Sequence, residues 1–337
     1  MTNEPSPPTE DGFQAEDRPP RLDTTPVQQA AEAVRQTVAS VLIGQDTLVD
    51  LLLTALLCNG HVLVEGVPGI AKTLTAKLLA QSLSVRFSRL QFTPDLMPSD
   101  VVGTTVFNPR ETAFTFHPGP VFSNVVLVDE INRAPAKTQS ALFEVMEEYQ
   151  VTVDGTTYAM DDPFFVIATQ NPIEQEGTYR LPEAQLDRFL FKIVVHYPSL
   201  AEEKAILRRF SRDFEGARTA VLAPVLSAER LREARRLVEQ VGIREELLDY
   251  IAGVVHLTRE HPDLFLGASP RASLAILKAS KAMAAVRGRD FVTPDDIRQV
   301  AWPVLNHRIL LTPERDMEGY EAKEVMEDIL RRLEVPR

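Results

Sequence analysis

Cysteine is almost absent from this chain, because Cys58 is the only one among 337 residues. No disulfide can form within the chain, and no group of thiols is available to ligate a metal ion. Such cysteine usage is typical of a reducing compartment, so we predict a cytoplasmic location.

Long apolar runs are also missing. The sequence has no stretch of 18 or more apolar residues, so we expect no membrane insertion. The amino terminus lacks the apolar segment, flanked by positive charge, that marks a secretory signal.

The chain has fewer basic residues than acidic ones. The chain has 36 Lys and Arg against 48 Asp and Glu, which gives a net charge of −12. A protein built mainly to grip nucleic-acid phosphates needs a basic face. We therefore expect no nucleic-acid partner, although a local basic stripe within the acidic chain is still an open alternative.

The remaining composition is that of an ordinary globular protein, with 44% apolar and 25% charged residues. A length of 337 residues favours two domains. Residues 1–24 are rich in Pro and acidic groups and poor in large apolar side chains, which predicts a disordered acidic tail. We predict an α/β domain over residues 25–199 and a helical domain over residues 200–337.

The predicted α/β domain is defined by short apolar runs with helical stretches between them. The runs start near His61, Val125, Phe164 and Phe189. Strands that alternate with helices imply a parallel sheet covered on both faces. Two hairpins are predicted within this alternation, one turning at 108–111 and one at Asp154-Gly155.

The predicted helical domain follows residue 199, where the strand-like runs stop. Ser269-Pro270 is typical of a helix start, with Ser at the N-cap and Pro at the first helical position. The apolar stripe of this helix ends near Gly288.

A near match to the nucleotide-binding pattern G-x-x-x-x-G-K-[ST] follows the first apolar run. Its residues are Gly66, Val67, Pro68, Gly69, Ile70, Ala71, Lys72 and Thr73. Lys72 would reach the β- and γ-phosphates of ATP, and the Thr73 hydroxyl would ligate Mg²⁺. Ala71 replaces the usual second Gly, which a near-helical backbone tolerates. By itself this match could equally be a plain turn between strand and helix.

Polar residues end two later strands. Asp129 and Glu130 directly follow the run from Val125 to Val128. Asp129 can hold the shell of the Mg²⁺ ion, and Glu130 can polarise the attacking water. Asn171, at the end of the next predicted strand, can orient that water.

Two arginines lie at helix and strand boundaries. Arg188 precedes the last predicted strand, from which it could reach a nucleotide held by a neighbouring subunit. Arg271 lies in the first turn of the helix that begins near Ser269-Pro270. For each of them, a solvated side chain or a helix-end ion pair is the simpler alternative.

Taken in order, these elements closely resemble the AAA+ ATPases and, within them, the MoxR family. The resemblance covers residue 26 to the end of the chain. It is carried by residues 66–73, 91–100, 129–135, 168–172, 181–189 and 269–271.

The resemblance implies a P-loop AAA+ domain with a central parallel five-stranded sheet, followed by a small α-helical lid. It implies Walker A at residues 66–73, Walker B at 125–130, sensor 1 at Asn171, an arginine finger at Arg188 and sensor 2 at Arg271. Whether Arg271 acts on its own or the adjacent subunit's nucleotide is left open. We also assign Leu74, Ile43 and Gly44 to the nucleotide site.

The resemblance further implies an ATPase that uses ATP and Mg²⁺ in a ring, with six copies as the expected number. MoxR-like proteins are thought to remodel or mature partner proteins, usually those with von Willebrand factor A domains, and the two hairpins would touch the client. Three alternatives stay open: a nucleotide-gated scaffold with little hydrolysis, a nucleic-acid motor, and a motor subunit of a magnesium chelatase.

Overall fold

The computed structural model describes residues 22–67, 69, 72–110, 112–172, 178–211 and 223–336. Its strands are β1 His61–Gly66, β2 Phe87–Gln91, β3 Gly103–Asn108, β4 Ala113–Pro118, β5 Val125–Asp129, β6 Gln150–Val153, β7 Thr156–Ala159, β8 Phe165–Gln170, β9 Phe189–Val195, β10 Leu264–Leu266 and β11 Leu310–Leu311. Its α-helices are α1 Thr25–Ala39, α2 Asp46–Leu57, α3 Lys72–Ser82, α4 Pro98–Val102, α5 Ala136–Glu148, α6 Glu183–Leu186, α7 Leu200–Phe210, α8 Ala228–Gln240, α9 Glu245–Glu260, α10 Pro270–Val286, α11 Pro294–Leu305, α12 Pro313–Met317 and α13 Ala322–Arg332.

The central sheet has five parallel strands in the order β2-β5-β8-β1-β9. This confirms the predicted parallel five-stranded sheet. The position of one strand, β2, could not be read from an apolar run, because its sequence FSRLQ places exposed and half-buried residues along the edge of the sheet. An edge strand has one neighbour and needs less apolar surface than a central one.

Both faces of the sheet are covered because successive side chains of a strand point to opposite sides. Val62 and Val64 pack with α1, α2 and α3 on one face, whereas Leu63 packs with α5 on the other. The first of these cores continues without a break into α8, α9, α10 and α11. These four helices therefore share a hydrophobic core with the sheet.

The two predicted hairpins are confirmed as β3–β4 and β6–β7. Asp154 and Gly155 both have positive φ, at 49° and 77°, as the tightest two-residue turns require. The hairpins touch each other through Phe116 and Tyr158, whose rings stack with centroids 4.3 Å apart.

The helical part differs from the prediction in two details. The prediction that strands stop after residue 199 was wrong, because β10 and β11 form a short antiparallel pair. Ser269 is the N-cap residue of α10, but its hydroxyl makes no cap bond and lies 3.5 Å from a carboxylate oxygen of Asp187. The predicted apolar stripe of α10 is buried, and Gly288 follows it with a φ of 73°.

Most of the predicted disordered tail, residues 1–21, lies outside the described residues. Its last three residues lead into α1, and Thr24 is buried there. None of the helices described is both long and apolar enough to cross a membrane.

Candidate active site

A cleft of about 400 Å³ opens at the edge where the carboxyl ends of β1, β5 and β8 meet. In open parallel sheets this edge is where ligands bind, because loops and helix N-termini converge there. The cleft is lined by Gly69, Lys72, Thr73, Leu74, Arg89, Gln91, Asp129, Glu130, Thr169, Gln170 and Asn171.

Gly69 and the first residues of α3 form one wall of the cleft. Gly69 has a φ of 86°, a left-handed value that favours glycine, and a Cβ there would meet no atom of the described residues within 4 Å. The ammonium of Lys72 donates to the carbonyl oxygens of Gly66 and Gln170, the latter at 3.2 Å. Lys72 thus lies between the ends of β1 and β8.

The buried carboxylate of Asp129 forms the floor of the cleft. Its Oδ1 accepts hydrogen bonds from the hydroxyls of Thr73, at 3.2 Å, and Thr169, at 3.1 Å. Its Oδ2 accepts from Arg89 Nε at 2.7 Å. The adjacent Thr73 hydroxyl and Asp129 carboxylate suit Mg²⁺, a hard cation that favours oxygen ligands.

Glu130 follows Asp129 in a left-handed conformation, with φ 57° and ψ 50°. A non-glycine residue in this region costs of order 1–3 kcal/mol and is a common feature of functional sites. Its N–H donates to Thr169 Oγ1 at 3.1 Å. Its Oε2 accepts from Gln91 Nε2 at 2.7 Å and from Arg133 Nη1 at 2.9 Å. The backbone turn therefore directs the Glu130 carboxylate into the cleft, and two side chains hold it there.

Asn171, directly after β8, is 7% exposed and also lines the cleft. The carboxyl ends of β1, β5 and β8 thus bring Lys72, Thr73, Asp129, Glu130 and Asn171 together. All five come from sequence positions predicted to form one site.

Comparison with known proteins shows the family to which the chain belongs. A family model described as "ATPase family associated with various cellular activities (AAA)" matches residues 61–191, and a model of the AAA lid domain matches residues 256–329. Chaperone MoxR1 of Mycobacterium tuberculosis is 44% identical over 309 residues, which are 89% of this chain and 81% of that protein. The chain belongs to the MoxR family of AAA+ ATPases.

Two further matches extend over most of the chain. The uncharacterised protein YeaC of Bacillus subtilis is 48% identical over 296 residues, which are 88% of this chain and 92% of that protein. A crystal structure from Cytophaga hutchinsonii is 42% identical, has a TM-score of 0.85, and covers 93% of this chain and 97% of its own.

Some residues that the sequence analysis assigns to the nucleotide are not among the described residues that line the cleft. Pro68, Ile70 and Ala71 lie outside the described residues. Ile43 and Gly44 lie in the turn between α1 and α2, where Gly44 faces Glu202 at the start of α7. Their contact with a nucleotide stays a prediction, as it does for Gly66 and Val67.

The two predicted arginines lie together, but outside the cleft. Arg188 Nη2 lies 2.7 Å from Glu147 Oε2, and Arg271 Nη2 lies 3.4 Å from Glu147 Oε1. Glu147 is in the last turn of α5. The described residues that line the cleft include neither arginine.

Several site residues were missed in the sequence. Arg89 and Gln91 alternate along β2 and so point to the same side, but that signal needed β2 to be recognised first. Thr169 lies two residues before Asn171 and could have been proposed from its place near the end of β8. Glu147 carried no local signal, because its partners Arg188 and Arg271 come from distant parts of the chain.

Proposed function

We propose that this chain binds ATP with Mg²⁺ in the cleft and hydrolyses it to ADP and phosphate. The observation that carries the proposal is the convergence of Lys72, Thr73, Asp129, Glu130 and Asn171 on one cleft. Phosphoryl transfer to water requires the groups that meet here: a cation, an oxygen pair suited to Mg²⁺, a carboxylate base and an amide.

The phosphate groups would be held mainly by Lys72 and the backbone of the turn before α3. Lys72 now donates to two carbonyl oxygens, and a phosphate would form stronger, charge-assisted hydrogen bonds with the same ammonium. Thr73 and Asp129 would hold Mg²⁺, which, when bound, neutralises charge on the phosphate oxygens.

Glu130 is the proposed general base. The water oxygen would attack the γ-phosphorus as the bond to the β–γ bridging oxygen breaks, and Glu130 would accept the proton of that water. Gln91 and Arg133 fix one oxygen of the Glu130 carboxylate, which limits its range of positions. The Asn171 amide would orient the water.

We further propose that the active form is a ring of identical subunits, a homo-hexamer, in the cytoplasm. Arg188 and Arg271 would serve the nucleotide of a neighbouring subunit, since they do not line the cleft of their own. The proposal retains a sheet domain over residues 25–199 and a lid over residues 200–337, which would move against each other during turnover.

The work driven by hydrolysis is proposed to be the remodelling or maturation of partner proteins. One relative, from Mycobacterium tuberculosis, is named a chaperone. Proteins with von Willebrand factor A domains are the partners that the MoxR resemblance favours.

Glu130→Gln tests the hydrolytic site. This change keeps the shape of the side chain but removes its ability to accept a proton, so steady-state ATP turnover should fall by about 10² to 10⁴. ATP binding, measured by calorimetry with Mg²⁺, should persist. Glu144→Gln, at an exposed position of α5, is the matched control. Substantial turnover in Glu130→Gln would contradict the assignment of the base.

The partner proposal needs a nucleotide-dependent test. A purified von Willebrand factor A domain encoded in the same genome should bind Glu130→Gln with ATP and not with ADP. Lys72→Ala, which we expect to lose ATP binding, should not capture that domain under either condition. Equal binding in all conditions, or none, would contradict a nucleotide-driven role.

A further inference from the structure

Three charged side chains meet near the amino end of β9, away from the carboxyl ends of the strands that form the cleft. Glu147 comes from the end of α5, Arg188 from the residue before β9, and Arg271 from the first turn of α10. Each oxygen of the Glu147 carboxylate contacts a different guanidinium, at 2.7 Å for Arg188 and 3.4 Å for Arg271. One carboxylate therefore joins a residue of the sheet region to a residue of the lid.

The strand register shows how far Arg188 lies from its own cleft. Phe189 pairs with His61 at the start of β1, and Val195 pairs with Gly66 at its end. Because six residues separate these two levels, Arg188 lies about 20 Å along the strand from the cleft edge. No arginine side chain spans that distance, so Arg188 cannot act on the nucleotide of its own subunit.

The backbone on both sides of Arg188 is held by a buried arginine. Arg308 Nη2 donates to the carbonyl oxygens of Asp187, at 3.0 Å, and Phe189, at 2.7 Å. These bonds fix where the Arg188 side chain starts, but not where its guanidinium points. The Arg188 guanidinium forms an ion pair with Glu147 and lies over the Phe143 ring, with Cζ 6.0 Å from the ring centroid. Of these two contacts, the ion pair is the one that also involves Arg271.

The charges also favour a role for Glu147 in keeping the arginines together. Two neighbouring guanidinium groups repel each other, and a carboxylate between them offsets that repulsion. A side chain such as arginine loses considerable rotamer freedom when it is held in one geometry. If Glu147 already holds both arginines in place, this entropy is lost before the reaction begins. It would then not add to the activation free energy of ATP hydrolysis.

We propose that Glu147 is a positioning residue that orients Arg188 and Arg271 as one pair toward the nucleotide of the adjacent subunit. This inference rests on the proposed ATPase function. Because the carboxylate that holds Arg188 also holds Arg271, both arginines would act on the same nucleotide.

Glu147→Gln is the direct test, because the amide keeps the shape of the side chain and removes its charge. We expect kcat for ATP to fall by about 10- to 100-fold, the effect of a misplaced catalytic group. The KM for ATP should stay nearly unchanged, because the arginines act on charge that develops in the transition state. Glu148→Gln, the next residue of the same exposed helix end, is the matched control and should behave as wild type.

A mixing experiment separates this role from a structural one. Glu130→Gln subunits keep an intact arginine pair, and Glu147→Gln subunits keep an intact cleft. When both are assembled together, interfaces form in which the cleft of one meets the arginines of the other. Turnover should therefore rise above that of either variant alone and peak near equal amounts.

A mixture of Arg188→Ala and Glu130→Gln subunits is the reference. It tests whether Arg188 acts across the subunit interface, independently of Glu147. If this mixture recovers activity and the Glu147 mixture does not, the inference about Glu147 is overturned while the ATPase proposal stands. If wild type itself does not hydrolyse ATP, the proposed function fails. Wild-type kcat in Glu147→Gln would also overturn the inference.

A second variant covers the case in which Glu147→Gln does not fold. Arg271→Gln removes the lid partner of the same carboxylate, and Arg271 is an exposed side chain whose loss should leave the fold intact. The same fall in kcat, with recovery on mixing with Glu130→Gln, is expected. Failure to recover would place Arg271 at its own subunit's cleft and contradict the shared orientation.

Discussion

Replacement of Arg308 tests how strongly the lid holds the segment that carries Arg188. The Arg308 side chain is 5% exposed, and its Nε donates to Asp187 Oδ1 at 2.6 Å. Its other nitrogens donate to the carbonyl oxygens of Asp187, Phe189, Leu190 and Val304. Burial lowers the pKa of Arg308, and the contact with Asp187 opposes that shift.

The expected loss in the free energy of unfolding follows from the Asp187 carboxylate, which Arg308→Met leaves without its partner. Removal of one partner of a buried ion pair costs about 3–5 kcal/mol, because the other charge stays buried without compensation. The Asp187 side chain is 20% exposed and can partly regain water, which favours the lower end of that range. We therefore expect the free energy of unfolding to fall by about 3 kcal/mol, a large share of the 5–15 kcal/mol typical of folded proteins.

Urea unfolding followed by circular dichroism measures this change. Arg308→Lys keeps the charge but lacks the planar fork that reaches several carbonyl oxygens, so its loss should be intermediate. The double variant Asp187→Asn with Arg308→Met should be more stable than Arg308→Met alone, since the unpaired charge is gone. A loss below about 1 kcal/mol for Arg308→Met, within the range of an exposed ion pair, would refute the reasoning.

Two further predictions concern positions remote from the arginine pair. His61 is buried, which lowers its pKa to about 4, and its Nδ1 accepts from the Val166 N–H at 3.1 Å, so the folded state favours the neutral ring. In the unfolded chain the His61 ring takes up a proton near pH 6.5, whereas in the folded chain it does so only near pH 4. The contribution of His61 should therefore lower the free energy of unfolding by about 3 kcal/mol as the pH falls from 6.5 to 4. In urea titrations, the difference in free energy of unfolding between wild type and His61→Gln should narrow as the pH falls over that range. A constant difference would contradict the claim that the folded state favours a neutral His61 ring. Gly103 has φ 96° and ψ 177°, a region that is essentially restricted to glycine, and a Cβ there would lie 2.3 Å from the His117 carbonyl oxygen. Gly103→Ala should therefore destabilise the β3–β4 hairpin by at least about 1–3 kcal/mol, seen as faster hydrogen exchange in residues 103–118, while unchanged exchange would show that the backbone adapts.

Much of the cleft could be predicted from sequence because its parts lie at the ends of apolar strands. The carboxyl ends of parallel strands meet at one edge, so a residue that follows such a strand is brought to that edge by the topology alone. Asp129 and Asn171 are examples, and both lie in the cleft. Arg89 and Gln91 were not predicted, because the edge strand that carries them has no continuous apolar run.

The start of α10 shows the limit of a local rule. Ser269-Pro270 correctly predicted where the helix begins. The first helical position has no intrahelical acceptor for an N–H, so proline, which lacks this group, is tolerated there. The Ser269 hydroxyl nevertheless lies near Asp187 of the sheet region and makes no cap bond. A tertiary contact therefore took the place of the local one.

By itself, the sequence determined the strand, turn and helix that carry Lys72, and the carboxylates that end β5. These features depend on neighbours a few residues apart, and short-range spacing is visible in a single chain. Only the tertiary structure decided that Glu147 meets both Arg188 and Arg271, the latter 124 residues away. That meeting depends on how α5, β9 and α10 pack around a shared core, and contacts between distant segments leave no pattern in the spacing of residues along one chain.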